Sequence, residues 1–260
     1  MRPEALPSIS LLGMPIARVG LHVLLDHIFR ELAAGKGGWL ITANLDFLRR
    51  HAQQPEMRAL YADADVIVAD GMPLVWAARL QGDPLPERVA GSSMILPLAE
   101  RAAAEGRRLY LLGGATDAAS EAAGVLVERF PGLQVVGTSA PYVSNPPTAD
   151  DIAAARGELQ RCRPDIVLVG LGSPKQEQLI RALRGHFPGA WMVGVGISFS
   201  FIAGHVRRAP SWMRRTGLEW THRLAQEPQR LARRYLVEDA PFAVELLLKS
   251  AVHRLPWRSG

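Results

Sequence analysis

Pro164-Asp-Ile-Val-Leu-Val-Gly-Leu-Gly-Ser-Pro-Lys-Gln-Glu-Gln178 holds a complete structural unit in fifteen residues. Ile166 to Val169 is an unbroken apolar run of the kind found in strands covered on both faces, and Gly170 and Gly172 end it in a turn without side chains. Ser173 is a good N-cap and Pro174 a good first helical residue, so the spacing predicts a helix from there. Its free N–H groups and positive dipole end, with Lys175 and Gln176 beside them, then form a place for a phosphate.

The same plan recurs along the chain. Trp39–Ala43 reads as a strand with Thr42 and Asn44 at its exit, before a helix starting near Asp46. Val66-Ile-Val-Ala-Asp70-Gly71 ends in an acid, with Pro73 opening the next helix. Further strands are expected over Arg107–Gly114, which ends in Gly113-Gly114, over Leu133–Thr138, which leads into a loop carrying Tyr142, and over Trp191–Ile197 with Gly194 and Gly196. Six strands alternating with helices predict an α/β fold, a Rossmann-like, mostly parallel sheet with helices on both faces. A small hairpin is expected within Leu11–His22, and a helix over Leu21–Ala34. After Phe201 the pattern changes: His205–Arg215 is basic, Leu218–Leu236 reads as a helix with Pro228 inside it, and Phe242–Trp257 is amphipathic. The expected division is a core of residues 1–203 and a helical appendage of 204–260.

With 48% hydrophobic residues in 260, the chain can bury a substantial core. Cys162 is the single cysteine, which excludes an internal disulfide. With no secretory pattern at the N-terminus, a cytoplasmic protein is expected. No apolar run reaches the roughly 18 residues of a spanning helix. The net charge of +5 is uneven: residues 201–260 hold ten Arg and one Lys against five acids, a balance of +6, and the first 200 residues carry −1. Arginines among Trp212, Trp220 and Trp257 suit an anionic membrane surface or an anionic ligand better than nucleic acid, for which no recognised module is present.

Glycine loops at several strand ends suggest a nucleotide pocket. Gly170-Leu-Gly172 does not continue as G-x-G-x-x-G, and no P-loop is present. Asp70 follows four apolar residues and precedes a glycine, a setting that raises a carboxyl pKa and suits a general base; capping of the Pro73 helix explains it equally well. Asn44 and Asp46 have the same two readings, as crevice residues or as N-caps. Asp63-Ala-Asp65 resembles a sugar-transferase metal motif but precedes its strand, and the seven histidines lack ligand spacing, so no metal is expected.

Thr42-Ala-Asn44, Ala69-Asp70-Gly71, Trp76-Ala-Ala-Arg79, Pro86-Glu-Arg88-Val-Ala-Gly91, Leu111-Leu-Gly-Gly114, Gly170 through Glu177, Gly194-Val-Gly196, Ala203 through Trp212, Gly217-Leu-Glu-Trp220 and Glu227-Pro to Tyr235 together resemble the WecG/TagA/CpsF glycosyltransferases, glycosyltransferase family 26, from about Leu12 to Tyr235. The resemblance implies an inverting, metal-independent transfer of an N-acetylmannosamine, its uronic acid or glucose. The donor would be a UDP-sugar and the acceptor a polyprenyl-diphosphate-linked saccharide, met on the cytoplasmic membrane face during surface-polysaccharide assembly. It implies Asp70 as the base and Thr42, Asn44, Arg88 and Gln176 around the donor sugar and acceptor. Gly113, Gly114, Tyr142, Gly170, Gly172, Lys175, Gly196 and Ser200 would lie at the nucleotide, and Arg223, Arg230 and Arg233 at the diphosphate and the membrane; by spacing alone, Arg223, Arg230 and Arg234 share one helix face. Self-association as a homo-oligomer is also expected. Ser200 departs from the acid usual at its position, and Leu45 and Phe47 from the usual Pro and His. Ser200 motivates one rival reading, a nucleotide-sugar-binding accessory protein without catalysis; the runner-up enzyme class, a nicotinamide-dependent or methyl-transferring enzyme, is disfavoured by the missing dinucleotide fingerprint.

Overall fold

The structure, a computed structural model, describes residues 6–253; Trp257 lies outside them. A hairpin opens the chain, β1 (Ser8–Leu11) pairing antiparallel with β2 (Met14–Ala17). It lies earlier than the sequence suggests, because Gly13 is inside the turn and not at its edge. Leu12 and Gly13 both have positive φ, 47° and 84°, as a two-residue type I′ hairpin turn requires.

Six parallel strands follow: β3 (Gly38–Ala43), β4 (Val66–Ala69), β5 (Arg108–Gly113), β6 (Gln134–Ser139), β7 (Ile166–Gly170) and β8 (Trp191–Gly194). Their order across the sheet is β4-β3-β8-β7-β5-β6. β8 stops at Gly194, three residues short of the sequence-based expectation. Alternate residues feed two cores. Ile41, Val167, Val169 and Met192 face the helices Leu45–Gln53, Ala149–Cys162 and Lys175–Arg184, while Leu40, Val68, Leu168 and Val193 face Leu21–Ala33, Gly91–Ala104 and Ala118–Arg129. β5 thus sends its helix to one face and the adjacent β7 sends its own to the other. Such a reversal opens a crevice at the carboxyl ends of the strands.

The C-terminal segment is broken where Pro228 cannot continue a helix. It runs as Glu219–Gln226, Pro228–Ala232, a π-helical stretch Arg233–Asp239 and a final helix Ala240–His253. Phe242 and Leu246 are buried in the first of the two cores. Arg49 fastens the segment further: its guanidinium reaches Glu238 at 2.8 Å and Asp239 at 3.1 Å, and also contacts Asp46. Among the described residues no helix is long and apolar enough to cross a membrane.

Candidate active site

A cleft of about 440 Å³ opens above the carboxyl ends of β3, β4, β7 and β8, and the C-terminal segment forms its far wall. The core supplies Thr42, Asn44, Asp70, Arg88 and Gln176; the far wall supplies Glu219, Trp220, Arg223, Arg230 and Arg234.

Asp70 stands half-buried at the floor. The Pro73 helix is capped at Gly71 without a side-chain bond, so Asp70 does not cap it. Instead Oδ2 of Asp70 accepts from the backbone N–H of Gly91, at the first turn of a different helix, at 3.3 Å. Burial pushes its carboxyl up to about 6, and Glu219 pushes the same way; Arg88, the Gly91 N–H and Arg223 oppose them. A carboxylate in that range is ionised at neutral pH and still basic enough to take a proton.

Around it, several polar groups are committed to the scaffold. The Thr42 hydroxyl donates to the Gly194 carbonyl at 3.2 Å, tying β3 to β8. Asn44 is the N-cap of Leu45–Gln53 through the N–H of Phe47, so the capping alternative holds for its Oδ1 even as the residue lines the cleft. Gln176 is engaged at both ends: Nε2 donates to Glu177 at 2.6 Å, and Oε1 accepts from the N–H of Gly196 at 3.2 Å. This brace fixes the loop after β8. Glu177, fully buried, is pushed by desolvation up to about 7.

The glycine loops have a packing role that the sequence did not reveal. A Cβ on Gly170 would fall 2.8 Å from the Phe199 ring, and one on Gly114 3.2 Å from it, so these glycines make room for Phe199 under the strand ends. Gly113, Gly114, Gly172 and Gly196 also have positive φ. Gly172 and Gly196 line the cleft, whereas Gly113, Gly114 and Gly170 lie behind it at the ends of β5 and β7. Ser173 is not an N-cap: the helix begins at Lys175, and the buried Ser173 hydroxyl has no hydrogen-bond partner among the described residues. Lys175 donates to the carbonyl of Val143 and lies 5.8 Å from the centre of the exposed Tyr142 ring, apart from the cleft lining. Ser200 is buried off the wall; its neighbours Ser198 and Phe201 line the cleft instead.

Arg223, Arg230 and Arg234 line the cleft, and Arg233 does not: its side chain is 86% exposed and pairs loosely with Glu238. Helical spacing favours Arg234, which at about 100° per residue falls within about 20° of Arg223 while Arg233 falls about 80° away; the resemblance pointed to Arg233 instead. The reading also passed over Glu219 and Arg208. Arg88 forms a 2.6 Å ion pair with Glu219, and Arg208 donates to Ser93 Oγ at 2.6 Å. Glu219 precedes Arg223 by four residues, the interval that puts both on one helix face, so the signal was present.

A family model described as "Glycosyl transferase WecG/TagA/CpsF family" matches residues 9–255. The chain belongs to this glycosyltransferase family. Two curated relatives carry the name N-acetylglucosaminyldiphosphoundecaprenol N-acetyl-beta-D-mannosaminyltransferase. The one from Bacillus spizizenii is 36% identical over 203 residues, 78% of this chain and 76% of the relative. The one from Bacillus subtilis is 30% identical over 222 residues, 85% of this chain and 84% of the relative. The chain is thus a glycosyltransferase, and the cleft is the candidate for its active site.

Proposed function

We propose that the protein moves a sugar of the N-acetylmannosamine class from a UDP donor to a polyprenyl-diphosphate-linked saccharide, with inversion and without a metal, in bacterial surface-polysaccharide assembly. The relatives' names motivate the sugar and the acceptor. The observation that carries the chemistry is Asp70: a carboxylate pushed up to about 6 and facing a wall of arginines across one cleft.

In this reading the acceptor hydroxyl attacks the anomeric carbon from the side opposite the nucleotide and passes its proton to Asp70. The bond from that carbon to the β-phosphate oxygen breaks, and its electron pair leaves with UDP. Charge building on the diphosphate is met by Arg223, Arg230 and Arg234, which provide the electrostatic stabilisation a metal would otherwise provide. Docking at an anionic membrane surface is supported by an apolar stripe on the final helices, where Val237, Val244, Leu248 and Val252 are exposed, near the basic residues of the same segment.

The test is transfer from UDP-N-acetylmannosamine, with UDP-glucose as comparator, to a synthetic lipid-diphosphate N-acetylglucosamine, with the product read by mass spectrometry and its anomeric configuration by NMR. An inverted disaccharide is expected. Tight UDP binding with neither donor turned over would favour the accessory-protein reading that Ser200 raises.

A further inference from the structure

We infer that Glu219 is a positioning residue for the proposed transfer: it draws the Arg88 guanidinium to itself and so leaves Asp70 without an ion-pair partner. The inference rests on the reading of Asp70 as the base and explains how that base stays available.

Asp70 and Arg88 share the cleft floor, where an acid and a guanidinium would ordinarily join in a two-point pair. A carboxylate held that way is a poor proton acceptor, because the cation stabilises its charged form. Here the pairing goes elsewhere. Arg88 Nη1 is 2.6 Å from Glu219 Oε2, and both side chains are largely buried, at 15% and 16% exposure. On its other side Glu219 Oε1 lies 4.0 Å from Nε of Arg208, whose remaining nitrogens donate to the Ser92 carbonyl and to Ser93 Oγ. Among the described residues the Asp70 carboxylate has no ion pair, and the Gly91 N–H at 3.3 Å is its one hydrogen bond.

The charged groups acting on Asp70 come from three places. Arg88 precedes the helix Gly91–Ala104, Glu219 and Arg223 come from the helix Glu219–Gln226, and Arg208 lies in the stretch that joins core to tail. Of these, Glu219 is the one anion, and its charge favours the protonated form of Asp70 while the three arginines disfavour it. Removing it has two consequences of the same sign. The anionic neighbour disappears, and Arg88 is released to pair with Asp70.

The measurement is the titration of the Asp70 side-chain carboxyl in the unliganded full chain, by carbon NMR of aspartate-labelled protein, with the resonance assigned through D70N. Wild type, E219D, E219Q and E219A are compared alongside pH profiles of transfer. The midpoint is expected to fall in that order, by roughly half a unit or more for E219Q, the effect of one neighbouring charge across a partly wet cleft. In transfer assays kcat at neutral pH falls by up to about threefold in E219Q, more than KM changes, and the acid limb of kcat moves to lower pH. Should E219Q not fold, E219D carries the test, since a shorter acid loosens the same pair and lowers the midpoint part way. A midpoint that stays put or rises in the folded variants overturns the role of Glu219. If wild type transfers no sugar the transferase reading fails, and the titration still decides on Glu219.

Discussion

Replacing Asp70 by Asn should make the protein inactive and more stable at once. Asn keeps the shape and can still accept from the Gly91 N–H, so the perturbation is the loss of the charge and of its basicity. A general base contributes roughly 10²- to 10⁴-fold to turnover, and kcat is expected to drop by that range. The stability effect follows from linkage. The carboxyl moves from 3.8 in the unfolded chain to about 6 in the folded one. A raised acid binds its proton more tightly when folded, so wild type loses stability as pH rises from about 4 through 6, and the full penalty holds above 6. At 1.36 kcal/mol per unit the shift amounts to about 3 kcal/mol. Water in the cleft screens it, so we discount it to about 1–2 kcal/mol. D70N should therefore melt roughly 3–6 °C above wild type at pH 7.5, and the gap should close as pH falls toward 4. Calorimetry of both proteins across that range is the assay. Equal melting temperatures at pH 7.5, or a gap that ignores pH, would refute the buried-base reasoning even if turnover were lost.

Four further outcomes are expected. Arg230→Gln and Arg234→Gln should each lower kcat/KM for the UDP-sugar roughly 10- to 100-fold in steady-state assays, the range of a lost charge-assisted contact, while Arg233→Gln changes it less than about threefold. Gly170→Ala should cost about 1–3 kcal/mol in urea unfolding, because the new methyl group meets the Phe199 ring at 2.8 Å. Exhaustive EDTA treatment should leave transfer unchanged, and a loss restored by a divalent ion would overturn the metal-independent proposal. Changing Val244 and Leu248 together to Ser should reduce co-sedimentation with anionic vesicles while the melting temperature holds, since both side chains are exposed.

The sheet was readable because each of its strands is a short apolar run closed by small or polar residues, and both of its faces are covered. Periodicity reports burial, and here burial coincides with strand. The hairpin was displaced because Leu12 takes a left-handed conformation that leucine seldom adopts, so its turn carried no ordinary signal. Asp70 was legible as a crevice acid, since an acid at the end of a buried strand has few places to go. Its partner Gly91 was not, because that contact joins residues 21 apart through a loop whose path the sequence does not specify. The glycine loops look alike on paper whether they admit a phosphate or an aromatic ring, and Gly170 and Gly114 admit Phe199. Steps of seven and four residues already put Arg223, Arg230 and Arg234 on one helix face, and that is the set lining the cleft; it was the resemblance that pointed to Arg233.

The cleft's two sides come from well-separated parts of the chain. Its core side comes from residues 42–201, but the guanidinium wall and the acid that occupies Arg88 come from Glu219 to Arg234. A chain cut after residue 203 therefore lacks the arginines proposed to stabilise a departing diphosphate. Nonsense or frameshift lesions after residue 203 should accordingly yield a silent polypeptide, and supplying the missing tail as a separate peptide could restore function only as far as the Phe242, Leu246 and Arg49 contacts reassemble in trans.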